Sequence, residues 1–107
     1  MYAMIDFKSK KDLKEAVKAW LLWEDGRRGV IQMEHIANPT DQEIIEHLNI
    51  NAHPEINKPA KPVTIYSPGI GTPVRDGTEF VEGPHYPAPH RWYAKVEMKD
   101  GVVVSVK

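Results

Sequence analysis

Cysteine is absent from this chain, which removes disulfides, thiolate zinc sites and cysteine nucleophiles from consideration. That absence also fits a reducing compartment. Long apolar runs are missing too. No window approaches the ~18 apolar residues of a membrane-spanning helix, and the opening residues MYAMIDFKSKK lack the apolar stretch of a secretory leader. The expectation is a cytoplasmic protein without a membrane segment. An excess of charge of either sign is lacking as well. Lys and Arg number 14 against 15 Asp and Glu, a net charge of -1. This opposes sequence-independent nucleic-acid binding, which depends on a surplus of cations over phosphate, while leaving room for a local basic patch. Several motifs are missing: there is no HExxH and no GxSxG elbow. GIGTP at Gly69 to Pro73 lacks the GK[ST] end of a phosphate loop. No cofactor is implied.

Proline, by contrast, is plentiful, at 9 of 107 residues, against a usual share of ~5%. Most prolines lie between Pro54 and Pro89, so the centre of the chain is expected to be irregular but stiff. The length accommodates a single domain, 1–107, with one modest core.

Local patterns predict the elements. Ser9 is an N-cap with Asp12 at N3, and Leu13, Ala16, Val17, Trp20 and Leu21 recur at helical spacing, predicting a helix over residues 10–23 stopped by Gly26. Lys8, Lys10, Lys11, Lys14 and Lys18 form a basic stripe, either a solvated face or a contact for an acidic partner or nucleic acid. The run WLLW at Trp20 to Trp23 is too apolar all round for a one-sided surface helix, so that end is expected to be buried on two sides or to meet a partner. Residues 29–36 are read as a short strand. Thr40 with Glu43 forms a capping box that opens a second helix over about 41–49. Residues 51–62, with three prolines, read as an extended surface segment. Val63 to Tyr66 and Thr78 to Glu82 read as strands, and Ser67-Pro68-Gly69 as a type II turn.

The C-terminal strands, Trp92 to Met98 and Val102 to Val106, predict a hairpin. A two-residue Asp100-Gly101 turn sets Met98 opposite Val103. A three-residue loop sets Met98 opposite Val102, Val96 opposite Val104 and Ala94 opposite Val106, which gathers one wholly apolar face and is therefore the expected register, with a bulge and a left-handed Gly101. In it Trp92 turns inward and Tyr93 faces water. The fold class expected is α+β: a small, mainly antiparallel sheet of three or four strands, in which the strands near 63–66 and 79–82 extend the hairpin. The first helix covers it with Leu13 and Trp20, and the second helix is short.

The chemistry-bearing residues concentrate in GPHYPAPHRWY, Gly83 to Tyr93. Pro84, Pro87 and Pro89 narrow the positions open to His85 and His90. Tyr86-Pro87 is the bond most prone to cis, though trans is expected. His85 and His90 with Glu82, or with Asp76, could hold a metal and serve a small metal-dependent enzyme, although the spacing matches no strong metal signature. The same histidines could instead bond to loop backbone groups and hold the turn. Arg91, Tyr93 and Lys95, with Arg75 and the helix lysines Lys10 and Lys14, could serve a nucleic-acid-binding accessory protein. The reading favoured is a protein-docking surface made of His85, Tyr86, His90, Arg91 and Tyr93, because stiff loops lose little entropy on binding. Binding is favoured over catalysis. His35, His47 and His53 are isolated and carry no assigned chemistry.

FKSKKDLKEAV near the start, paired with VEGPHYPAPHRWYAKVEMKDGVVVSVK at the end, resembles short, mostly uncharacterised proteins of tailed bacteriophages and bacterial prophages. The resemblance covers residues 7–18 and 62–107, and it leaves 21–62 as an inserted segment. It implies a phage origin and expression in a bacterial cytoplasm. It transfers no catalytic residue.

Overall fold

The computed structural model describes residues 1–67, 69 and 71–107. The expected Ser67-Pro68-Gly69 turn lies outside the described residues. The elements run β1 (Tyr2–Ala3), α1 (Lys10–Met33), α2 (Asp41–Ile50), β2 (Ile65–Tyr66), β3 (Gly77–Gly83), β4 (Trp92–Lys99) and β5 (Val102–Val106). The class is α+β. No helix among the described residues is long and apolar enough to cross a membrane. The chain divides into two compact units, one formed by residues 1–18 and 62–107 and the other by residues 19–61.

In the first unit β3, β4 and β5 form an antiparallel sheet in that order, and β1 pairs with β2 in a separate two-stranded sheet. The strand near 63–66 thus joins the N-terminus and not the hairpin sheet, as had been expected. Single backbone bonds link the two sheets. Val103 N–H donates to Val63 O at 2.8 Å, and Glu82 N–H donates to Met1 O at 2.9 Å. The five strands therefore follow one another in a ring around Ala3, Val63, Ile65, Val81, Val96 and Val103, all buried. The N-terminal part of α1, capped where Asp12 N–H donates to Ser9 Oγ, packs on the C-terminal sheet and buries Leu13 and Val17.

The hairpin register differs from the expected one. Lys99 pairs with Val102 and Met98 with Val103, across a two-residue turn. Asp100 and Gly101 both have positive φ, 51° and 78°, the backbone of a type I′ turn, whose twist suits paired strands. The apolar face survives because the bulge lies within the strand and not at the turn. Beyond Met98 the pairing shifts by one residue, to Glu97 with Ser105 and Val96 with Val106, leaving Val104 unpaired as the extra residue. Met98, Val103, Val96 and Val106 then share the inner side.

The second unit corrects two further expectations. Gly26 does not end α1, which continues for 24 residues to Met33, so residues 29–33 are helix and not strand. Gly26 and Gly29 are instead places of close approach. A side-chain carbon at Gly26 would press on Leu48 Cγ, and one at Gly29 would overlap the His47 ring. Their lack of a side chain lets α2 lie close against α1. Trp23, Val30, Ile44 and Leu48 form the core here. Trp20, expected over the sheet, packs on this cluster, as do Ile56 and Ala60 from the segment read as extended surface. Of WLLW, Trp20, Leu22 and Trp23 belong to this second core. Thr40 and Glu43 form the reciprocal capping box, and Asn51 caps the end of α2.

Val103 is fully buried and Val104 only partly so. Val103→Ala is expected to lower the urea unfolding free energy by ~2 kcal/mol, and Val104→Ala by less than ~1 kcal/mol. The register expected from the sequence predicts the reverse order.

Candidate functional site

Trp92 opens β4 with its indole only 8% exposed, and Nε1–H donates to Phe7 O at 3.0 Å. Because side chains alternate along a strand, Arg91, Tyr93 and Lys95 point outward, and all three are exposed. Glycine is required at the facing position: a side-chain carbon on Gly83, the β3 partner of Trp92, would overlap the indole.

The loop between β3 and β4 is tied at several points. Arg91 N–H donates to Gly83 O at 2.7 Å, closing its base, and Ala88 N–H donates to His85 O at 3.1 Å across its tip. The Gly83-Pro84 and Tyr86-Pro87 peptides are both cis, where trans was expected for Tyr86-Pro87. His85 N–H donates to Asp6 Oδ1 at 2.8 Å, and the His85 ring donates through Nε2 to Ala3 O at 2.7 Å. Lys8 also bonds Asp6, at 2.9 Å. This bond and the one from His85 N–H hold the Asp6 carboxyl below its ordinary value of 3.8.

Tyr2 is the residue at which the loop and the N-terminus meet. Its ring stacks on His85 with centroids 4.9 Å apart and meets His90 edge-on at 5.4 Å. Its hydroxyl lies 2.8 Å from His90 Nε2, while His90 Nδ1 lies 3.3 Å from Glu82 Oε2. His90 Nε2 and the Tyr2 hydroxyl share one hydrogen bond, and His90 Nδ1 faces Glu82 without forming a second. Tyr66 packs edge-on against both Tyr2 and His85. The result is a linked carboxylate, imidazole and phenol beneath the loop.

This network bears on the metal reading. Glu82 and His90 do come together, with His90 Nε2 taken by the Tyr2 hydroxyl and His85 Nε2 spent on a carbonyl. Asp76 accepts from Asp100 N–H at the opposite end of the hairpin. No group of three potential ligands gathers among the described residues. The nucleic-acid set is scattered. Arg91, Tyr93 and Lys95 share the outer side of β4, Arg75 O accepts from Gly101 N–H at the turn end, and Lys10 and Lys14 belong to α1. The docking set divides in two. His85 and His90 are structural anchors with rings turned into the network, whereas Tyr86, at 80% exposure, and Tyr93, at 65%, face solvent.

Sequence reasoning missed Tyr2, Tyr66 and Asp6. A two-residue strand gives no periodicity to read. The only signal was an aromatic at the second position followed by an acid before the helix cap. No protein-family model, curated protein or solved structure matches this chain.

The lowered Asp6 carboxyl carries a sign. A depressed folded value means its contribution to loop anchoring is present above about 3.8 and is lost as pH falls through the folded value. Acid titration monitored by the His85 amide resonance is expected to show that resonance moving below pH 3.8 in the native chain. In Asp6→Asn the acid step is expected to be gone. His90→Ala, which strips the Tyr2 hydroxyl of its partner, is expected to cost ~1–2 kcal/mol in urea unfolding.

Proposed function

We propose that this chain is a small binding module of phage or prophage origin, working in the bacterial cytoplasm by docking a protein partner on the Gly83–Tyr93 loop and not by catalysis. The observation that carries the reading is Tyr86. It stands 80% exposed on a loop whose base, tip and flanks are bonded to Gly83, His85, Asp6 and Ala3. An exposed aromatic on an already ordered loop is an efficient anchor. It offers a large contact area, and little ordering entropy remains to be lost on association. Arg91 and Tyr93 stand exposed beside the base of the loop and extend the surface with the residue types that dominate binding hot spots.

The reading as a metal-dependent enzyme draws no support from the described residues, among which no group of three potential ligands gathers. The phage origin rests on the paired sequence blocks at the two ends of the chain. If it is right, the transcript rises on prophage induction in the host.

Capture from host lysate with the native chain, followed by titration of the captured partner in purified form, tests the docking surface. Tyr86→Ala is expected to weaken the partner by roughly 30-fold, the loss of ~2 kcal/mol typical of a hot spot, with the circular dichroism spectrum unchanged. Equal affinity of native and variant chains would remove the loop from the interaction.

A further inference from the structure

The outer face of the β3–β4–β5 sheet carries a second surface, separate from the loop tip. Residues directly opposite in an antiparallel pair present their side chains on the same face. Phe80 is opposite Lys95, and Lys95 exchanges both backbone hydrogen bonds with Lys107, so Phe80, Lys95 and Lys107 form one row across three strands. Tyr93 lies one step along, opposite Glu82, and Arg91 one step further. Phe80 is 67% exposed, on the face opposite to that of the buried Val81. Phe80 and Tyr93 are diagonal neighbours, a spacing of ~7–8 Å. Between Met1, Phe80, Tyr93 and Lys95 runs an open groove of about 240 Å³.

The charges of this face are unbalanced. Two carboxylates lie on it, Glu82 opposite Tyr93 and Glu97 opposite Thr78, and the three cations Arg91, Lys95 and Lys107 outnumber them. Among the described residues Arg91, Lys95 and Lys107 have no ion-pair partner. Two lysines directly opposite one another repel, and an anion between them would relieve that repulsion. Two bare rings side by side, with three free cations around them, match the chemistry of unpaired bases joined by phosphates. Each ring can take one base face, and the cations can meet the backbone. The net charge of -1 does not oppose this, because the surplus is local to the face.

We infer that the outer sheet face is a stacking platform for single-stranded nucleic acid, with Phe80 and Tyr93 stacking successive bases and Arg91, Lys95 and Lys107 meeting the phosphates. The inference does not depend on the loop reading, since Phe80, Lys95 and Lys107 play no part there.

Fluorescence anisotropy of a short labelled oligodeoxythymidylate, titrated with the whole chain at a series of salt concentrations, tests it. Binding is expected to weaken with salt with a slope of about -2 on a log–log plot, for three cations at ~0.7 each on a single strand. Phe80→Ala and Tyr93→Ala are each expected to weaken binding roughly 5- to 150-fold, the equivalent of ~1–3 kcal/mol per stacked base. Ile50→Ala, at an exposed residue of α2 that lies off the face, is expected to leave binding unchanged. Lys95→Ala is expected to reduce the salt slope by ~0.7. Both rings are exposed, so the variants are expected to keep the native circular dichroism spectrum. Absence of binding at low salt, affinity unaltered in both ring variants, or equal competition by a polyglutamate peptide or a duplex would each overturn the inference.

Discussion

The indole of Trp92 is the constraint on which the rest of the first unit depends. It is buried at the start of β4, its nitrogen bonds the carbonyl of Phe7, and its ring fills the space that a side chain on Gly83 would occupy. One side chain thus joins three separate stretches of chain: the N-terminal segment, the end of β3 and the start of β4. With Trp92 turned inward, strand alternation alone sends Arg91, Tyr93 and Lys95 outward. Removing the indole nitrogen would strand a buried carbonyl and loosen the N-terminal segment from the loop.

That segment has a purpose in the arrangement. Once Phe7 is held, Asp6 meets the His85 amide, Ala3 O meets the His85 ring, and the Tyr2 hydroxyl meets His90. The loop is therefore ordered mainly by residues about eighty positions earlier in the chain, and only partly by its own prolines. Its histidines are turned into this network and its aromatics are left outside. The loop accordingly offers Tyr86 as a presented surface and keeps its imidazoles as supports.

Much of this was legible locally. Ser9 and the Thr40–Glu43 box marked their helices because capping is decided within four residues. The inward Trp92 and outward Tyr93 followed from alternation. The hairpin register is not legible locally, because the strand changes register partway along its length. The bulge at Val104 lets a type I′ turn and an apolar inner face coexist. Gly26 was misread for a related reason. A glycine after Glu24 and Asp25 resembles a helix stop, but the space it leaves is filled by Leu48 from another helix. Tyr2 could not be found because its partners, His85, His90 and Tyr66, are all distant in sequence.

The amino-acid order by itself determined where helices begin, which residues of β4 face inward, and that the chemistry would collect around the proline-rich loop, since each of these depends on neighbours a few positions apart. Only the tertiary structure decided which histidine nitrogens are occupied, where the bulge falls, and which aromatics stay bare. Those outcomes depend on which distant backbone carbonyl or carboxylate lies within hydrogen-bond reach and on which volume a second element has already filled. No run of neighbouring residues encodes either condition.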